Sequence, residues 1–200
     1  MGAASPFMNA EEQTRLASDA LASEEEAYEL AMQRSRAIIR KTKTAIHGLH
    51  NGRRDAELID SISSDLAGLE MALEAHPRIL FGPHVEDAMM EFAETVIYDY
   101  ALLGQPLPSY TDLDVTPSAW VSGLADAVGE LRRDMVTALM DGRRDDAMRI
   151  FKVMEELSDA LMSLDVKDSV APVRRKQDVC RGLMEKSRSE LATARIMSGD

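Results

Sequence analysis

Val115–Gly142 reads VTPSAWVSGLADAVGELRRDMVTALMDG, the pattern of one amphipathic helix with both ends marked. Thr116 is a good N-cap, and Pro117 suits the first turn, where its missing N–H costs nothing. Trp120, Leu124, Val128, Leu131, Met135 and Leu139 recur at the three- and four-residue steps of a single helical face. Gly142 supplies the stop. Asp126 and Glu130 lie off that stripe, beside Gly123, and their four-residue spacing puts them on one face.

The same punctuation recurs on both sides of this stretch. Upstream lies the longest loop, GQPLPSYTDLDV, rich in turn residues. Before it, a helix is expected from Pro83 to Gly104, with an apolar stripe of Val85, Met89, Phe92, Val96, Tyr100 and Leu103. Glu91 and Glu94 sit on its other side, near Asp87 and Tyr98. Earlier helices are expected from about Asn9 to His50, stopped by Asn51-Gly52, and from about Arg53 to Ala75, ending before Pro77. Downstream, helices are expected over about Arg143–Leu164 and Val173–Met197, separated by DVKDSVAP. No alternating strand pattern or internal repeat appears. The expectation is an all-α, six- to seven-helix, mostly antiparallel bundle forming one domain over residues 9–200. Residues 1–8 read as a flexible terminus or a tag remnant.

Composition agrees. The 200 residues are 45% apolar but only 4% aromatic, so Ala, Leu and Met carry the hydrophobic core, a balance that favours helix. One cysteine, Cys180, excludes an intrachain disulfide and fits a reducing, cytoplasmic setting; its apolar-periodic position reads as core. No apolar run approaches a membrane span, and nothing reads as a leader. Net charge is −12, which alone argues against nucleic acid. Yet Leu30–Arg54 holds seven Lys or Arg and no Asp or Glu, a local basic region on an acidic body.

Two helices thus each carry an acidic pair. If Glu91, Glu94, Asp126 and Glu130 converge, the cluster needs solvation, protonation or a cation. Oxygen-only ligands suit Mg2+ or Mn2+, the ions of phosphoryl chemistry. Spacing alone reads first as a solvated face opposite an apolar stripe, and Arg133, one turn beyond Glu130, could simply pair with it. Other schemes lack their motifs: there is no Glu-x-x-His, Cys-x-x-Cys, His-Glu-x-x-His or glycine-rich phosphate loop. His76 and His84 read as surface residues of a connection. Arg36, Arg40, Lys43, His47 and His50 fall in register along one face of the first helix, where they could follow a phosphate backbone. Taken alone, the stripe reads first as pairing with acidic residues of neighbouring helices or of a partner subunit. With aromatics sparse, any nucleic-acid binding would be electrostatic and weakly sequence-specific.

The run from Val115 to Gly142 resembles the signature of the translin and translin-associated factor X family, V-T-P-x-x-Y-L-x-G-[LV]-A-D-x-x-G-E-L-x-R, with Trp120 where tyrosine is usual. MEFAET resembles that family's Q-E-Y-V-E-A stretch, and RAIIRKTKTAIHGLHNG its R-x-I-x-x-x-S-x-x-x-I-x-x-L-H-R-G segment. The matches span about residues 30 to 142. Retention of Glu91, Glu94, Asp126 and Glu130 resembles the factor X branch, which keeps the acidic set used for metal-dependent RNA cleavage; eukaryotic translin has largely lost it. The short loops resemble those of compact archaeal or bacterial members.

The resemblance implies a seven-helix protein assembled as an octameric shell with an inward-facing site. It implies a Mg2+- or Mn2+-dependent endoribonuclease acting on single-stranded RNA, with those four carboxylates as catalytic and metal-binding residues. Arg36, Arg40, Lys43, His47 and His50 would contact RNA phosphates, with Asp87 as a fifth acidic member or mere surface. Two alternatives stay open: a non-catalytic single-stranded DNA- or RNA-binding protein of translin type, and a helical scaffold whose charges serve only oligomerisation.

Overall fold

In the computed structural model, which describes residues 9–197, Asn51-Gly52 ends the first helix, α1 (Ala10–His50), with Gly52 at φ +67°. The second, α2 (Ala56–Leu73), starts later than expected because the Asp55 side chain accepts the Leu58 N–H at 2.9 Å and caps it. A single turn, α3 (Pro77–Leu80), fills the connection to α4 (Pro83–Leu103), which stops at Gly104 in a left-handed conformation. The Thr116 hydroxyl accepts the Ala119 N–H at 3.0 Å and opens α5 (Pro117–Met140). Two helices follow, α6 (Arg144–Met162) and α7 (Val173–Met197). The described residues contain no strand. The architecture is the all-α, seven-helix bundle expected; residues 1–8 lie outside the described ones.

Helices joined by short connections run antiparallel: Arg34 reaches the Gly68 carbonyl while Lys41 reaches Asp65, so α1 and α2 oppose each other. The inner helices do not. Glu86 meets Thr116, Met90 and Glu94 lie against Gly123, and Tyr98 meets Asp134, an ascending order on both α4 and α5. These two therefore run the same way. The segment from Gly104 to Thr116 must travel the length of α4, about 30 Å for its 21 residues. Trp120 pins that segment, its indole N–H donating to the Pro108 carbonyl at 3.0 Å.

This parallel core sets the level of the site. On one side α4 packs against α1, and on the other against α5, which α6 and α7 cover in turn. Being central, α4 does not have the two faces its pattern suggested. Ala93, Glu94, Thr95, Val96, Ile97, Tyr98 and Asp99 are consecutive and all buried, while Leu103 of the expected stripe is exposed. Glu94 is only 8% exposed, so a solvated acidic face is overturned for this residue.

Candidate functional site

Gly123 brings the two acidic pairs together. A Cβ there would lie 2.6 Å from the Glu94 nitrogen, 2.8 Å from the Met90 carbonyl oxygen and 2.9 Å from the Ala93 Cβ. Only glycine admits this approach, and one turn beyond it Asp126 faces α4.

The electrostatics record the convergence. Burial, then the charges of Asp126, Glu91 and Glu130, push the Glu94 carboxyl up to about 8, with Lys176 opposing. Burial likewise raises Glu91, against the charge of Lys43 and the Thr42 hydroxyl 3.4 Å from its Oε2; Asp126 and Asp87 add to the rise. Asp87 is itself exposed at the rim. Glu94 is nearly buried, faces three carboxylates and has no hydrogen-bond partner for its own among the described residues. Such a carboxyl favours a proton or a bound cation over bare charge.

The two α5 carboxylates already have partners. Lys176 Nζ, on α7, lies 2.6 Å from both Oδ1 and Oδ2 of Asp126. His50 Nε2 lies 2.5 Å from Glu130 Oε2, and its Nδ1 lies 2.6 Å from Asp134 Oδ1 and 2.9 Å from the Tyr98 hydroxyl. The Tyr98 hydroxyl donates to the other Asp134 oxygen. Burial works against a charge on His50, but Asp134 and Glu130 overcome it and raise the imidazolium to about 9. Arg133 makes no ion pair with Glu130.

The donor set is oxygen-only and includes a buried carboxylate without a protein partner, which suits a hard divalent cation. Glu91, Glu94, Asp126 and Glu130 could hold one. It is not a closed cage as it stands, since among the described residues no three His, Cys, Asp or Glu side chains are grouped so as to hold a metal ion. Lys176 and His50 already occupy two of the four.

The basic face of α1 divides. Arg36, Arg40, Lys43 and His47 are exposed. Among the described residues Arg36, Arg40 and Lys43 form no side-chain hydrogen bond or ion pair, so pairing with acidic neighbours does not account for Arg36 and Arg40. Among the described residues the His47 side chain bonds only to Asn51. Lys43 acts on Glu91, so the stripe ends at the acidic cluster. His50 departs from the expected stripe: its side chain is only 7% exposed, turned into the carboxylate site. A 3.5-residue repeat drifts by about 20° per heptad on a straight helix, and two heptads from Arg36 rotate His50 inward.

Sequence reasoning missed Lys176, Tyr98 and Asp134. Nothing local marks Lys176, fifty residues from its partner. Asp134 was visible as the third member of the four-residue series Asp126, Glu130, Asp134. His76 and His84 line the connection, His84 Nε2 lying 3.0 Å from the Tyr28 hydroxyl. Cys180 is a buried core thiol, pushed up by burial. No helix among the described residues is long and apolar enough to cross a membrane.

A seven-helix bundle with an acidic pair on each of two parallel inner helices defines a class, and comparison with known proteins gives it a family. The translin family model matches residues 12–188, and the chain belongs to that family. An uncharacterised protein of Methanocaldococcus jannaschii is 30% identical over 177 residues, covering 86% of this chain and 78% of that one. The crystal structure of AfC3PO superposes with a TM-score of 0.79 at 29% identity, covering 96% of this chain and all of that one. A structure of AfC3PO with duplex RNA gives 0.75 at 28%, covering 92% and 97%. The apo form of NeC3PO shares the fold, with a TM-score of 0.75 at 18% identity and coverage of 97% and 100%.

Proposed function

We propose that this protein is a metal-dependent endoribonuclease working within a translin-like oligomeric shell, in a reducing cytoplasmic setting. The observation that carries this reading is Glu94: 8% exposed, without a protein hydrogen-bond partner among the described residues, and facing Glu91, Asp126 and Glu130. Glu91, Glu94, Asp126 and Glu130 would hold Mg2+ or Mn2+. When bound, the ion would polarise the phosphodiester and activate a water. Arg36, Arg40, Lys43 and His47 would grip the strand through its phosphates, and Lys43 would lead it to Glu91. Binding of that kind is electrostatic and reads little sequence. His50 would fix the orientation of Glu130, and one of the four carboxylates would serve as general base.

A second reading is a non-catalytic RNA- or single-stranded DNA-binding member. Lys176 and His50 favour it, because they already neutralise two of the four carboxylates. The two separate on labelled single-stranded and duplex RNA given Mn2+, Mg2+ or chelator, beside Asp126→Asn/Glu130→Gln; the duplex arm follows from AfC3PO's solved complex. Cleavage that needs metal and is lost in the folded variant, with binding retained, supports the nuclease. Binding without cleavage in any metal overturns it. Light scattering with and without RNA reports whether the assembly is the octamer the resemblance implies.

A further inference from the structure

Lys176 is the cationic side chain seated on both oxygens of Asp126, and its own side chain is 21% exposed. Its backbone is held firmly. The neighbouring Gln177 amide donates to the Leu161 and Leu164 carbonyls at 3.0 and 2.9 Å, tying the first turn of α7 to the end of α6. Among the described residues the side chain is held by Asp126 alone, as a point charge on a four-carbon stem with several rotatable bonds. The pair is not needed to fasten α7 to α5. Arg132 already bonds both Glu190 oxygens, at 2.6 and 2.8 Å, between the same helices, and Cys180 and Met184 of α7 are buried.

With both Asp126 oxygens 2.6 Å from the Lys176 ammonium, a divalent ion arriving at that carboxylate meets a competing positive charge. We infer that Lys176 is the resident cation of this site: it neutralises Asp126 when no divalent ion is bound, and leaves Asp126 to let one in. This rests on the reading of the cluster as a metal site. The ammonium supplies a counter-charge to one of the four converging carboxylates while no metal is bound, as His50 does for Glu130. It also makes metal affinity a property that α7 tunes, through a residue that is not itself a ligand.

The test needs no RNA. The full chain, stripped with chelator, is titrated with Mn2+ and the free ion is followed by electron paramagnetic resonance. Wild type is compared with Lys176→Met, Asp126→Asn and the exposed control Lys152→Met. Removing a competing charge a few ångströms from a divalent ion should tighten binding about tenfold in Lys176→Met. The control should match wild type, and Asp126→Asn should weaken binding relative to wild type. Unchanged or weaker binding in Lys176→Met overturns the inference and leaves the metal site standing. No binding by any protein, or binding indifferent to Asp126, overturns both. Should Lys176→Met not fold, as judged by circular dichroism, Lys176→Gln carries the same test.

Discussion

Asp99 and Glu94 are buried carboxylates five residues apart on one helix, and the protein treats them oppositely. Asp99, 1% exposed, is gripped by the Arg54 guanidinium through Nε and Nη2, at 2.8 to 3.0 Å. Glu94, 8% exposed, meets other carboxylates. The first is a satisfied ion pair with the planar geometry that makes such pairs strong; it fastens the segment after α1 to the central helix. The second feels the charge of Lys176, but that ammonium bonds Asp126 and leaves Glu94 without a direct partner among the described residues. Burial therefore does not separate architecture from function on α4. What separates them is whether the fold supplies the counter-ion itself.

The comparison breaks first if Arg54 is removed. Arg54→Met leaves Asp99 charged and buried, a change worth about 3 kcal/mol against the fold. Urea unfolding followed by circular dichroism measures it. A loss below about 1 kcal/mol would mean that Asp99 is solvated after all, and the contrast with Glu94 would lose its structural half.

Glu94→Gln should act in the other direction, with a smaller effect. Its folded-state carboxyl titrates at about 8, against 4.5 in the unfolded chain. The folded state thus holds the proton that the unfolded state gives up, and wild-type stability falls as pH rises from 4.5 to 8. His50 adds a loss of the same sign between 6.5 and about 9. In chelator, Glu94→Gln should equal wild type near pH 4.5 and exceed it by about 2 kcal/mol at pH 8. The full displacement would give roughly 5 kcal/mol, but the neighbouring carboxylates can share the proton. A variant less stable than wild type at pH 8 would show that Glu94 is satisfied.

Most of the fold was legible because its punctuation is local. Asn51-Gly52, Pro83, Gly104, Thr116-Pro117 and Gly142 all sit at or next to helix ends. The acidic pairs were legible as pairs, but their burial was not. A helical pattern reports one apolar face, whereas α4 is enclosed by α1 and α5 at once. That enclosure follows from the parallel α4–α5 arrangement and the glycine contact at Gly123, both long-range facts. Lys176 was illegible for the same reason, and His50 was misplaced because a periodic stripe was projected two heptads along a helix that enters the core.

The smallest effect on the fold belongs to the exposed cations. Among the described residues Arg36 and Arg40 lack a partner, as Glu94 does, but they stand in water, where an unpaired charge costs almost nothing. Arg36→Gln/Arg40→Gln should change stability by no more than about 0.5 kcal/mol. RNA binding should weaken, and the slope of log affinity against log salt should become shallower by about 2, one for each lost phosphate contact. Stability falling by more than about 1 kcal/mol, with an unchanged salt slope, would mean that these arginines meet acidic residues of another subunit. Partnerless charges would then mark assembly on α1 and chemistry on α4, and exposure alone would not tell which.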